Sequence, residues 1–541
     1  MSDIDLYRPT LPTTFGSASW ATMRDLRQHG MLDPTKGKNM GPIIGCLTPA
    51  EIGGRDLLNI YAPGEGNILT AAPTRAGKGR GQVITNLLGW PGSAVVVDIK
   101  GENWDRTAGW RQQNGHRVIR FAPFEQGSAK WNPIDALNYG CADEPNQPSR
   151  QEHARYLANL MIVPNPKAHD PYWDNAAKTL LQGLMMFVAT APVDAPISIT
   201  DKISVRVQER TMAEVRRLLT QEPIAFKNTM AAMAQSPESW VRETAGTMFQ
   251  MEAAREQSAS VKSVLMEHTT VWSYKRVQDA MSTTTFSFSQ LRGERPTTIY
   301  LVIPFEALHE YRILLRVMIG WCMRELRYTW SEQEDEKRPP VLFFLDEFPQ
   351  LAHMQPIEEA LLYIGAYGVK LWFFIQDFSM LQQHYEKTWR QFIANCATRC
   401  FFGVSDMETA KIVSEMSGAA TVRNRSYQAG TNESDSVSHS TTEGTGKQSG
   451  ESLTGVLDFG WNWGRNSFSS RTFTSNRTSG TSFTSTLGYI GRPLFMPDEI
   501  LRMPFGSMIA LPRGMAAIRG QLRFWDEDVT GLRRRGMIPP P

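Results

Sequence analysis

NILTAAPTRAGKGRGQVITNLLGW, Asn67 to Trp90, reads as a short apolar strand, a loop carrying Gly77 and Lys78, and an amphipathic helix. The phosphate-binding pattern G-x-x-x-x-G-K-[ST] nearly fits Ala72-Pro73-Thr74-Arg75-Ala76-Gly77-Lys78-Gly79. Ala72 stands where the first glycine belongs, and Gly79 where the hydroxyl residue belongs. The physical logic survives both changes. Loop N–H groups and a helix N-terminus present partial positive charge to phosphate oxygens, and a lysine adds a point charge near the β- and γ-phosphates. Pro73, Thr74, Arg75, Ala76, Gly77, Lys78, Gly79 and Arg80 are therefore the expected nucleotide contacts. The missing hydroxyl at position 79 removes the usual side-chain ligand for Mg²⁺. An ordinary strand–turn–helix would place glycines at the same positions, so the loop does not decide the matter alone.

A chain of 541 residues is too long for one typical core, and two or three domains are expected. The 41% hydrophobic and 21% charged composition is that of a globular protein. A net charge of +2 gives no general attraction for a polyanion, so any nucleic-acid contact must come from local patches or a ring of subunits. The five cysteines are scattered, and only Cys396 and Cys400 lie close, without a second Cys/His pair at zinc spacing. They read as reduced, buried residues. MSDIDLYRPTLPTTF lacks the basic and apolar regions of a signal peptide, and no apolar run approaches the roughly 18 residues of a membrane span. A cytoplasmic location is the expectation.

Downstream of the loop, SAVVVDIKGENWD carries a run apolar on both faces, as a buried parallel strand would, with Asp98, Lys100 and Glu102 leaving its C-terminal end. RVIRFAPF follows a short helix, which opens a doubly wound sheet. From about Asn138 to Ser289 the periodicity turns helical, with Asp174 near one helix start. The sheet resumes with TIYLVIP, VLFFLDEF, VKLWFFIQD and ATRCFFGVSD, each apolar and each ending in polar residues. The domain plan is an N-terminal extension (1–40), a nucleotide-binding domain in two parts (41–137 and 290–420) and an inserted all-α domain (138–289). A Ser/Thr/Gly-rich segment (421–487) and C-terminal strands with a tail (488–541) follow. Residues 421–487 bury too little apolar surface to offset ordering entropy, so much of this segment is expected to be mobile, or a partly ordered hairpin despite Trp461, Trp463, Phe468, Phe473 and Phe483.

VLFFLDEF supplies the second half of the site. An apolar strand running into Asp346-Glu347 is how many ATPases divide their work: the Asp holds Mg²⁺ through water, and the Glu accepts a proton from the attacking water. Acids at a helix N-terminus explain acidity in general, but not this strand in one chain with Lys78. Gln376, ending the next strand, can hydrogen-bond the γ-phosphate or the lytic water. Arg399 is a candidate for the arginine that neutralises phosphoryl charge in the adjacent subunit of a ring, with Arg75 and Arg120 as competitors.

The ordered pieces APTRAGKGRG, DIKGENWDRTAGWR, DPYWDNAA, TIYLVIP, LDEFPQL, FFIQD and RPLFMPDEI resemble the type IV secretion coupling proteins, the TraG/TraD class of conjugation ATPases, over roughly Gly41 to Asp526. The resemblance implies an α/β fold, a RecA-like P-loop NTPase sheet domain with an inserted all-α domain. It also implies ATP and Mg²⁺ as cofactors and a homo-hexamer when active. Partners would be a relaxase with single-stranded DNA, effector or other protein substrates, and the type IV secretion channel. In this class the helical insert is associated with substrate recognition, and glycine after the loop lysine is usual. Members commonly begin with transmembrane helices. This sequence shows none, so it looks like the soluble variant, which would need a separate membrane protein for docking at the inner membrane. Two other readings stay open: a nucleotide-controlled receptor for protein substrates, and an FtsK/HerA-like DNA translocase.

Overall fold

The computed structural model describes all residues except 1–12, 34–35, 65, 140–147, 164–171, 253–254, 432–440, 446–466, 477–480 and 529–530. The strands, in chain order, begin with β1 (Ile43–Leu47), β2 (Leu58–Tyr61), β3 (Asn67–Ala71), β4 (Ala94–Asp98), β5 (Arg117–Phe121), β6 (Pro196–Thr200), β7 (Ile203–Arg206) and β8 (Thr297–Val302). They continue with β9 (Val341–Leu345), β10 (Val369–Ile375), β11 (Cys396–Phe401), β12 (Ala419–Thr431), β13 (Thr441–Thr445), β14 (Ser467–Asn476), β15 (Thr481–Pro493), β16 (Ser507–Pro512) and β17 (Ile518–Gln521).

Among the described residues, an 11-stranded sheet has the order β2-β1-β17-β16-β11-β3-β10-β9-β4-β8-β5. From β11 to β5 every pairing is parallel. The pairings of β11 with β16, β16 with β17, β17 with β1 and β1 with β2 are antiparallel. Strands β3, β4, β8, β9 and β10 are buried along their whole length, which is why their sequences are apolar runs and not alternations. The α/β expectation holds, with an antiparallel extension drawn from both ends of the chain.

Among its described residues the inserted region is helical apart from one antiparallel ribbon, β6 with β7, that the helical periodicity around it concealed, so it is not all-α. It does not stand off from the sheet. Its helices share one continuous apolar core with β3, β4, β8, β9 and β10. At Gly320, on the helix Phe305–Tyr328, an added Cβ would lie 2.4 Å from Leu160 of the helix Arg150–Met161, so this glycine permits a close helix–helix approach. Tyr172–Thr190 forms a helix with Asp174 in its first turn, while Pro171 lies outside the described residues.

Where it is described, the Ser/Thr-rich segment carries strands. β12 and β15 pair continuously from Ala419↔Pro493 to Thr431↔Thr481, and β14 and β13 extend them into a four-stranded antiparallel sheet. Alternating Thr and Ser residues favour a pleated ladder of backbone hydrogen bonds even without much apolar surface. Trp461 and Trp463 lie outside the described residues.

The helix after the phosphate loop also differs from its expected amphipathic form. It opens as a π-helical turn, Gly79–Val83, and continues as α-helix over Ile84–Leu87, with Gly81 through Leu88 buried. Its outer face is covered by the C-terminal segment, where Trp525 and Leu532 pack with Ile84 and Leu88.

Candidate functional site

The carboxyl ends of β3, β10 and β9 lie side by side, since β10 pairs in parallel with both. Each strand delivers one group to the same point. The Lys78 ammonium, from the loop after β3, sits 3.2 Å from Glu347 Oε1, after β9. Gln376, ending β10 between them, donates from Nε2 to Glu347 Oε2 at 2.9 Å. Lys78 is 8% exposed and Glu347 17%, so the pair is shielded from water and holds more strongly than a surface ion pair. The structure thus brings Lys78, Glu347 and Gln376 together, although they come from three separate stretches of sequence.

Asp346 and Glu347 leave β9 through a turn, not as alternating strand positions. β9 ends at Leu345, and Glu347 takes a left-handed backbone with φ 47° and ψ 40° before the 3₁₀ turn Phe348–Leu351. The Glu347 N–H donates to Asp346 Oδ1 at 3.1 Å, which fixes the first carboxylate against the turn. Phe348, fully buried among Phe373, Tyr385 and Phe392, anchors the turn from below. Burial pushes the Asp346 carboxyl up to about 6, with the Lys78 ammonium pulling it down and the Glu347 carboxylate pushing it up. On the neighbouring β4, burial likewise pushes Asp98 up to about 6. Asp98 accepts from Trp104 N–H at 2.9 Å and Asn103 Nδ2 at 3.3 Å, so it fastens the start of the helix Glu102–Gln113.

In the phosphate loop, Gly77 has φ 102° and Arg75 φ 65°. A Cβ on Gly77 would lie 3.0 Å from Phe524, so glycine is required there by backbone and space together. At Gly79 a Cβ would meet nothing within 4 Å, so the absent hydroxyl does not reflect lack of room. Thr74 and Arg75 are exposed, and Ala76 and Lys78 buried. The donor set suits a nucleotide polyphosphate: a cationic amine, loop N–H groups and the Asp346 and Glu347 carboxylates at one strand edge.

Three of the arginines considered in the sequence have partners within the chain. Arg80 turns away to Asp526 at 2.7 Å and Glu527 at 2.9 Å, lying over the Phe524 ring. Arg399, on β11, donates from Nε to the Leu511 carbonyl at 3.1 Å. Arg120 pairs with Glu125 and lies over Trp104.

The C-terminal segment closes over the phosphate loop, a contact that strand periodicity does not disclose. Thr85 donates to the Arg523 carbonyl at 2.7 Å, Arg535 to the Leu88 carbonyl at 3.0 Å, and Leu522 and Phe524 wall Gly77 and Gly81. The acidic run in RFWDED is the one sequence signal that could have pointed to a basic partner at Arg80.

A parallel sheet with a phosphate loop after one strand, an acidic pair after the second strand over, and a glutamine between them defines a P-loop nucleotide-binding core. The model of the family described as Type IV secretory system Conjugative DNA transfer matches residues 19–448, well over half of the chain. The chain belongs to this family. The Escherichia coli Conjugal transfer protein TraG is 26% identical over 571 residues, covering 97% of this chain and 78% of that protein. Protein VirD4 of Agrobacterium fabrum is 28% identical over 417 residues, covering 76% and 58%. Among solved structures, the bacterial conjugative coupling protein TrwBdeltaN70 superposes with a TM-score of 0.57 at 13% identity, over 85% of each chain. The plasmid coupling protein TrwB in complex with ADP and Mg²⁺ gives 0.56 over the same shares. Among the described residues, no helix is long and apolar enough to cross a membrane.

Proposed function

We propose that the chain is an ATP-hydrolysing type IV coupling protein, which recruits relaxase-bound single-stranded DNA or protein substrates and delivers them to a secretion channel as a homo-hexamer. The observation that carries the reading is the meeting of Lys78, Glu347 and Gln376 on adjacent strand ends. Membership in the conjugative transfer family supports it, as does the ADP and Mg²⁺ held by the similarly folded TrwB.

In this reading the loop N–H groups from Pro73 to Gly79 cradle the phosphates and Lys78 moves from Glu347 to the β- and γ-phosphate oxygens. Release from Lys78 leaves Glu347 as the proton acceptor for water, positioned by Gln376, which reports whether the γ-phosphate is present. Asp346 would hold Mg²⁺ through water; the ion, when bound, neutralises phosphate charge. Arg399 is the residue we assign to the adjacent subunit's phosphates, a role that requires it to let go of Leu511. Arg80 serves instead as the tether of the C-terminal segment.

The test is ATP turnover against protein concentration, with and without single-stranded DNA at low salt, where backbone-phosphate binding is strongest. Turnover that rises steeply with concentration and again with DNA supports the motor. Indifference to DNA at every concentration would leave the protein-substrate receptor as the better account.

A further inference from the structure

The geometry points to a nucleobase platform at Phe505, on the opposite side of the phosphate loop from Glu347. The inference rests on the nucleotide reading above. Lys78 and Glu347 fix the direction of a bound nucleotide, because the terminal phosphate must face the β10 and β9 ends. The ribose and base must then leave across Gly77, toward β11, β16 and β17.

The sheet places two aromatic rings there. β11 is parallel to β3, β16 antiparallel to β11, and β17 antiparallel to β16. The two residues before β16 and the residues just after β17 therefore share the carboxyl edge of β3, where ligands bind in open α/β sheets. Those residues include Phe505 and Phe524, bracketing the pairs Ser507↔Gln521 and the Leu522 N–H to Gly506 carbonyl bond of 2.7 Å. Their rings stack nearly parallel, at 10° and 5.5 Å between centroids. Phe524 is buried against Gly77 itself and carries the Arg80 guanidinium 4.2 Å from its centroid. Phe505 is 65% exposed.

Single exposed apolar side chains are common on protein surfaces. What sets Phe505 apart is that it extends, by a parallel stack, a ring that already forms the wall of the phosphate loop. A flat aromatic with an open face beside a phosphate cradle suits a purine, and stacking accepts any base because every base has a π-face. The platform would therefore strengthen ATP and GTP alike and leave discrimination between them small.

The experiment compares binding of ATP, GTP and inorganic tripolyphosphate to the full chain and its Phe505→Ala, Phe505→Trp and Lys78→Ala variants. Phe505→Ala is expected to weaken ATP and GTP by about tenfold each, to leave tripolyphosphate unchanged, and to raise KM for ATP while sparing kcat. Phe505→Trp should restore both nucleotides, and Lys78→Ala should weaken all three ligands. Wild-type ATP affinity in Phe505→Ala, with Lys78→Ala impaired, would overturn the platform and leave the phosphate site standing. Equal weakening of tripolyphosphate by Phe505→Ala would also overturn it, since the effect would then run through the loop. ATP binding that ignores Lys78→Ala would remove the nucleotide reading as well.

Discussion

Glu347 occupies a left-handed backbone conformation that costs a non-glycine residue about 1–3 kcal/mol. The carboxylate is held in that conformation by Lys78 and Gln376, with the buried Phe348 beneath it. Glu347→Gln keeps the shape and an oxygen for Lys78 but not the base. It is expected to bind ATP within a few-fold of wild type and lose turnover by at least about a hundredfold, as measured by filter binding and phosphate release. Near-normal turnover would remove the general-base assignment. Gly79→Thr adds a side chain into open space and is expected to lower the Mg²⁺ concentration needed for half-maximal ATPase. An unchanged Mg²⁺ titration would mean that position 79 does not face the ion. At this scale the sequence was readable where a buried strand ends abruptly in polar residues, as at Asp346, Glu347 and Gln376. It was not readable at Arg80, because its partners Asp526 and Glu527 are brought in by strands at the far end of the chain.

Among elements, the helix Glu102–Gln113 is pinned at both ends, by Asp98 at its start and by Arg111 near its finish. Arg111 is fully buried. It donates to the carbonyls of Leu87, Trp90 and Gly92 and to the Thr298 hydroxyl, and its Nη2 lies 3.0 Å from His116 Nδ1. The guanidinium therefore ties the end of the phosphate-loop helix to β8 and the helix before β5. Arg111→Met strands several buried carbonyls and should cost about 3–5 kcal/mol, read as a lowered denaturation midpoint. His116 gives the pH signature. Burial, then the Arg111 and Arg295 charges, push its imidazole down to about 3. The unfolded chain, with an ordinary histidine near 6.5, binds more protons between about pH 3 and 6.5, so native stability falls as pH drops through that window. Asp98, raised to about 6, acts with the opposite sign: the native state holds the proton more tightly, and its contribution grows as pH falls from about 6 toward 4. Removing the imidazole by His116→Gln should flatten the acid side of a midpoint-versus-pH curve, and a curve that keeps its shape would show that His116 titrates alike in the native and unfolded states. The apolar runs foretold these strands well. The burial of the phosphate-loop helix on all sides was hidden, because Trp525 and Leu532 cover it from a segment with no helical or strand periodicity.

Across the whole molecule, the helical insert and the sheet share a single apolar core, so removal of residues 138–289 would expose the helix Phe305–Tyr328 and the strands beneath it. Its contribution to substrate binding is better tested by surface substitution than by excision. The alternation of apolar strands and helices disclosed the parallel half of the sheet. The order of its strands and the antiparallel half depend on pairings between distant segments, such as β1 with β17, which no local pattern records. That order carries a consequence for biosynthesis. β3 is among the first strands to leave the ribosome, yet its two neighbours are β10 and β11, and its loop is walled by Leu522 and Phe524. At roughly 5–20 residues per second of translation, the hydrogen-bonding edges and apolar faces of β3 wait uncovered for on the order of tens of seconds. Such an interval invites aggregation, and long-range pairing of this kind is slow to form. Ribosome-stalled chains lacking β16 and β17 should fail to be retained on an ATP resin, while chains stalled after a linker beyond Pro541 should be captured. The nucleotide site is thus a late product of translation, and ATP capture of nascent chains would time its completion.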